Sequence, residues 1–162
     1  MLVIKGENTT ASELPERILF YGGEFGYGFS NFAAFAVEWR GRVWQTSEHA
    51  FQAAAFDDQD IVESIFSARS AHHALMIAIE KQSLIRPTWE DEMVSVMKDI
   101  CFHKLEQHTY LQKKLKESGT MQLIEDSPKD VVWGRGPDWQ GRNELGKIWM
   151  ALREEMINKY AG

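Results

Sequence analysis

Glu48, His49 and Gln52 lie in the run Trp44, Gln45, Thr46, Ser47, Glu48, His49, Ala50, Phe51, Gln52, which sets a carboxylate, an imidazole and a carboxamide among aromatic residues. On a helix, Glu48 and Gln52 are four residues apart on one face, so both polar heads can converge on one object beside it. His49 turns about 100° away and need not join them. A carboxylate held in this way can stabilise positive charge or move a proton. A glutamate at a helix start can equally do no more than answer the helix dipole, a stabilisation of about 0.3 to 1 kcal/mol.

The second chemical feature is the glycine-rich stretch from Trp133 to Asn143, with Gly134, Arg135, Gly136, Gly141 and Arg142, leading into a helix. Backbone amides freed in the first helical turn, the positive end of the dipole, and Arg135, Arg142 or Lys147 could together hold a phosphate or diphosphate. A surface loop needing glycine for its turns gives the same pattern. The lysine and hydroxyl of a Walker loop are missing. His49, His72, His73, His103 and His108 contain no pair at helical spacing with an interposed glutamate, so no metal site is expected. Ser30 and Ser47 read as loop or capping hydroxyls rather than nucleophiles. Trp89 and Trp133 stand at element ends, where an indole could stack on a flat base; core packing is the alternative for each.

These groups must be positioned by a chain of 162 residues, 44% hydrophobic and 12% aromatic, which suffices for one domain with one buried core. A net charge of -6 and a pI near 5.4 argue against binding nucleic acid by bulk electrostatics. Small anionic substrates, or a local patch seating a few phosphates, stay open. Cys101 is the single cysteine, so there is no internal disulfide or cysteine cluster, and a reducing cytoplasm is the expected location. Leu2, Val3 and Ile4 form an apolar run too short for a signal-peptide core or a membrane span, so neither export nor membrane attachment is expected.

Ile18 to Tyr21 reads as a short strand ending at a glycine-rich loop, Gly22 to Gly28. Ala36 to Trp39 and Arg42 to Trp44 read as a hairpin turning at Arg40 and Gly41. Thr46 or Ser47 then caps a helix to about Phe56, Asp57 or Asp58 the next through Ile61, Val62 and Ile65, and Ser70 a third through Leu75 and Ile79. Thr88 with Asp91 resembles a capping box opening a long helix to about Gln107, with Trp89, Met93, Val96 and Ile100 on one face. A helix from Tyr110 to Glu117 stops at Gly119, and Met121 to Ile124 and Val131 to Trp133 look like strands. The last helix begins near Asn143, its apolar face Leu145, Ile148, Trp149, Leu152 and Met156, with Arg153, Glu154 and Glu155 outside.

In order along the chain, Phe20 with Tyr21, Ser30 to Phe32, Trp44 to Phe56, Arg86 with Trp89, Val96 with Met97, Asp130, Trp133, Gly134 with Gly136, and Asn143, Leu145, Gly146, Lys147, Met150 and Arg153 resemble the NADAR family, also called YbiA-like proteins, which is associated with NAD and ADP-ribose metabolism. The resemblance implies a mainly helical α+β domain and an N-glycosidase that cleaves the bond between ribose C1 and a nitrogen. The family's substrates include phosphorylated intermediates of riboflavin synthesis and ADP-ribosylated guanine in DNA. By the same resemblance Glu48, Trp89 and Asp130 fall on positions tied to activity in the family; the chemistry suits Glu48 to the sugar side as a catalytic group and Asp130 to orienting or deprotonating water, or equally to capping the loop. Phe20, Asn31, His49, Gln52, Trp89, Trp133, Gly134, Arg135, Asn143 and Gly146 are its substrate-binding set. The expected pocket is bounded by the helix that starts at Thr46 and the loop from Trp133 to Asn143. The expected partner is a phosphorylated small molecule or ADP-ribosyl substrate, with ADP-ribosylated nucleic acid among the candidates; no cofactor is expected, and no oligomeric state follows.

Three positions depart from the family pattern. Ala55, before Phe56, stands where the family has a lysine, and Phe66 and Met93 stand where an arginine and a second lysine are common. Three lost cations weaken phosphate binding, and a lysine amine can attack a sugar C1 or its opened aldehyde, an option that Ala55 removes. Arg69, Lys81 or Lys98 could compensate. The chain is thus either a subfamily with different substrate and machinery or an ADP-ribose or nucleotide-binding module that has lost turnover.

Overall fold

The computed structural model describes residues 2–4, 16–21 and 25–161. In chain order the elements are β1 (Leu2–Ile4), β2 (Arg17–Phe20), β3 (Val37–Trp39), β4 (Arg42–Trp44), α1 (Ser47–Ala54), α2 (Gln59–Phe66), α3 (Ala71–Glu80), α4 (Trp89–Gln107), α5 (Thr109–Glu117), β5 (Gln122–Glu125) and α6 (Glu144–Ala161). This is the mainly helical α+β class expected from the sequence. No helix among the described residues is long and apolar enough to cross a membrane. The chain divides into two units, Asn31–His108 and the remainder, Met1–Ser30 with Thr109–Gly162.

In the unit Asn31–His108, β3 and β4 pair antiparallel with Val37 opposite Trp44. Arg40 and Gly41 both have positive φ, 49° and 81°, the geometry that a two-residue hairpin turn demands. The Gln107 carboxamide covers the β3 edge, accepting from Glu38 N at 2.7 Å and donating to Glu38 O at 2.8 Å. Thr46, Asp58 and Ser70 cap α1, α2 and α3 through their side chains. Thr88 does not cap α4: its hydroxyl donates to Glu92 at 2.8 Å instead, so the expected capping box is absent. Helix α1 packs against α2, α3 and α4, which buries Ala50, Phe51 and Ala53 on it with Ile61, Ile65, Ala74 and Ile100 around it.

In the other unit, β2 pairs antiparallel with β1 and parallel with β5, giving the order β1-β2-β5. The Leu2–Ile4 run, too short for a targeting segment, is thus an edge strand. Of the loop expected from Gly22 to Gly28, residues 22–24 lie outside the described residues, and its end enters a single 3-10 turn, Tyr27–Phe29. Leu145, Ile148, Trp149 and Leu152 form the buried face of α6, as their spacing predicts. The Trp149 indole donates to Phe29 O at 3.0 Å and its ring lies 5.2 Å from the Phe29 ring. Arg153, expected outside, is buried, because its guanidinium donates to Ser118 Oγ at 2.9 Å and Met121 O at 2.8 Å and closes the turn between α5 and β5. Gly119 ends α5 with φ of +58°, the left-handed cap that was expected.

Val131 to Trp133 is a turn, not a strand. Asp130 Oδ1 accepts from Val132 N at 3.0 Å and from Trp133 N at 2.8 Å, so these amides are diverted from any ladder. The segment then reaches α6, which packs on β5 so closely that a Cβ on Gly146 would overlap the Leu123 carbonyl and the Asn143 carboxamide. Neither neighbour can yield cheaply, one being backbone and the other hydrogen-bonded on both ends. Gly146→Ala is therefore expected to destabilise the protein by about 1–3 kcal/mol, read as a lower urea midpoint with unchanged m-value; an unchanged midpoint would refute this account of the contact.

Candidate active site

The start of α1 concentrates buried polar side chains. Thr46 adopts an extended backbone and its hydroxyl accepts from His49 N at 3.2 Å, the ordinary N-cap bond. His49 Nδ1 lies 2.7 Å from the same hydroxyl and Nε2 lies 3.0 Å from Ala68 O. A carbonyl only accepts, so Nε2 carries the proton and Nδ1 takes the hydroxyl hydrogen. Burial holds the His49 pKa below its ordinary value, in keeping with this neutral tautomer. With both ring nitrogens occupied and no exposure, His49 braces α1 against the turn at Ala68 rather than meeting a substrate.

Beside it, Ser47 Oγ donates to Asn31 Oδ1 at 3.0 Å and accepts from Lys104 Nζ at 3.3 Å. Asn31 O accepts the Glu48 backbone amide at 3.1 Å, which answers one of the unsatisfied donors of the first turn. Lys104 is fully buried, with Nζ 5.7 Å from the Phe35 ring centroid, and burial pushes its pKa down to about 8. Sequence reasoning missed this residue. The signal was present, since Met97, Ile100, Cys101 and Leu105 place position 104 on the buried stripe of α4. Glu48 is 6% exposed, and Gln52 Nε2 donates to its Oε1 at 2.7 Å, the convergence that the four-residue spacing predicts.

Arg86 ties the far end of α1 to the start of α4. Its backbone amide donates to Ala55 O, and its guanidinium to Ala54 O at 2.9 Å, Glu92 at 3.1 Å and Asp57 at 3.1 Å. Glu92 first, then Asp57, raise its pKa against the effect of burial. Trp89 is 7% exposed, its ring 5.1 Å from Phe51 and 5.7 Å from the Arg86 guanidinium. It builds a wall and offers no open face for a base. Ala55 is buried at the end of α1; of the cations proposed to replace a lysine there, Arg69 and Lys81 are exposed.

In the other unit the expected phosphate cradle at the start of α6 is filled by the chain itself. Asn143 N, Glu144 N and Leu145 N donate to the carbonyls of Gly134, Val132 and Trp133. The cations are matched as well: Arg135 pairs with Asp126, and Arg142 and Lys147 with Glu144. Asn143, with φ of 51°, uses its carboxamide to join α6 to β5, accepting from Glu125 N and donating to Leu123 O, both at 3.0 Å. Gly134 and Gly146 serve close packing. Phe20 is fully buried, edge-on to Phe29, and belongs to the core rather than to a ligand surface. Trp133 is half-buried and Asp130 caps its turn, so of the sequence-predicted set Glu48 with Gln52 and Asn31 is brought together most closely.

The NADAR domain family matches residues 19–157, which include parts of both units. A riboflavin biosynthesis protein of Vibrio vulnificus is 39% identical over 144 residues; the match covers 88% of this chain and 39% of that protein, so the chain spans well under half of its length. The N-glycosidase YbiA of Escherichia coli is 36% identical over 140 residues, covering 86% of this chain and 88% of the relative. The solution structure of E. coli YbiA superposes with a TM-score of 0.82 at 34% identity, covering 89% of this chain and 86% of that one.

The buried ammonium has a measurable signature. Between pH 8 and the ordinary lysine value of 10.5, the unfolded chain holds a proton at residue 104 that the folded chain has released. Stability contributed by this group therefore rises with pH across that window, by about 3 kcal/mol, and the full cost of the buried charge is present below it. The difference in unfolding free energy between the wild type and Lys104→Met should follow this rise; parallel pH profiles would contradict it.

Proposed function

The chain belongs to the NADAR domain family, and we propose that it is an N-glycosidase that hydrolyses the C–N ribosyl bond of a phosphorylated nucleoside-like or ADP-ribosyl substrate. The names of its relatives support this class, and among substrates the riboflavin biosynthesis protein favours a riboflavin-pathway intermediate, with ADP-ribosylated guanine as the other candidate. The observation that carries the reading is Glu48, a nearly buried carboxylate in the first turn of α1 with its rotamer held by Gln52. The family match runs through both units, which supports treating the chain as one functional domain, and the single buried Cys101 suits a reducing cytoplasm.

In the reaction, a water oxygen bonds to ribose C1 as the C1–N bond breaks, and the bonding pair leaves with the base nitrogen. Water gives up one proton and the leaving nitrogen gains one. Positive charge builds on the sugar as the bond stretches, and Glu48 is placed in the role of stabilising it. Glu48 stands in the first turn of α1, where the positive end of the helix favours negative charge, while Asn31, through its hold on the Glu48 amide, fixes the backbone beneath it. A second acidic role, orienting water or the leaving nitrogen, is the one that the family resemblance gives to Asp130, whose Oδ1 accepts from the turn amides of its own unit.

The second reading, a module that binds ADP-ribose or a nucleotide without turnover, rests on Ala55, Phe66 and Met93 in place of cations. Glu48→Gln separates the two. The substitution keeps size and hydrogen bonding at a helix start, so the fold should survive. Free-base release should drop by about a hundredfold or more. Unchanged release would remove Glu48 from its assigned role, and a wild type that binds ligand by calorimetry yet releases no base would favour the binding module.

A further inference from the structure

Of the six tryptophans, Trp139 alone is exposed, at 45% of its surface. It also has a φ of +64°, a left-handed backbone that crowds the Cβ of a bulky residue and that Asn, Asp or Gly would adopt at lower cost. A large apolar ring is thus held outward, in a conformation unsuited to it, at the tip of a tied loop. Gly141 N donates to Arg135 O at 2.7 Å across the base of that loop, and Asp138 Oδ1 accepts from Gln140 N at 3.0 Å within it.

Beneath the ring lies Arg135, with its guanidinium carbon 4.2 Å from the indole centroid. The guanidinium is itself fixed, donating to the Asp126 carboxylate and, at 2.9 Å, to Gly136 O. The indole therefore rests on a rigid, planar support, and loses little freedom when something packs on it. We propose that Trp139, backed by Arg135, is a stacking platform for a flat heteroaromatic base such as that of a nucleotide.

The local charge decides between base and phosphate. Asp126 neutralises Arg135 beneath the ring, Glu144 is shared by the exposed Arg142 and Lys147, and the amides at the start of α6 are spent on the chain's own carbonyls. What the surface retains is a π face over a balanced ion pair, which suits a neutral flat ring and has little to offer a phosphate.

Calorimetry with ADP-ribose, which carries a base, and ribose 5-phosphate, which does not, tests the assignment. Trp139→Ala should weaken ADP-ribose binding about tenfold, in line with the loss of one base stack, and leave ribose 5-phosphate unchanged, while Trp139→Phe should keep most of the affinity. ADP-ribose should also quench tryptophan fluorescence in the wild type and fail to do so in Trp139→Phe, a readout taken on a conservative variant of intact fold. Equal affinity of wild type and Trp139→Ala for ADP-ribose, or a wild type that binds ADP-ribose no more tightly than ribose 5-phosphate, would overturn the platform. Free-base release is scored separately: base-dependent binding without release refutes the glycosidase and leaves the platform standing, whereas normal release with no effect of Trp139→Ala on binding or KM removes the platform alone.

Discussion

Lys104 donates to Ser47 with no exposure to water, and desolvating such a charge costs on the order of several kcal/mol unless its surroundings answer it. The answer here is a polar chain: ammonium to hydroxyl, hydroxyl to the Asn31 carboxamide, and Asn31 carbonyl to the Glu48 amide. Because each link is buried, a shift in one leaves a polar group unpaired, so the start of α1 has little freedom to rotate. The His49 bridge from Thr46 to Ala68 fixes the same turn from another side. Glu48 inherits its orientation from both, and Gln52 then sets its rotamer.

The other unit reaches comparable rigidity by different means. Backbone carbonyls from 132 to 134 satisfy the first amides of α6, and the Asn143 carboxamide stitches that helix to β5. Gly146 permits the close approach that makes both possible. The carboxylate of Asp130 is part of the same construction, since it holds the turn that delivers those carbonyls. Thus a residue assigned to water or leaving-group chemistry also has a structural task, and its substitution acts on both.

Much of this was legible in the sequence where one local rule decides the outcome. Thr46, Asp58 and Ser70 cap as their types predict, Arg40 and Gly41 turn the hairpin, and the period of Leu145, Ile148, Trp149 and Leu152 gives the buried face of α6. The Glu48 to Gln52 pairing follows from helical spacing. What escaped depends on partners distant in sequence. Arg153 reads as solvent-facing until Ser118 and Met121 are brought to it, and Lys104, although its position falls on the buried stripe of α4, gains its hydroxyl partner only when Ser47 lies against it. Val131 to Trp133 has strand-like composition, yet one carboxylate at 130 outcompetes the ladder for its amides. The loop from Gly134 to Gly141 looks like an anion cradle because glycine, arginine and a helix start recur in such sites, but its donors are already committed.

The central claim is that the fixed carboxylate at the start of α1 serves cleavage of a ribosyl C–N bond by water. Its most direct test is to incubate the wild-type protein in oxygen-18 water with a panel of ribosylated bases, NAD, ADP-ribose and an ADP-ribosylated guanine oligonucleotide, and to read the products by mass spectrometry. The account predicts a free base together with a ribosyl product that carries the heavy oxygen at C1. Intact substrates throughout the panel, from protein shown to be folded and to bind one of them, would contradict it.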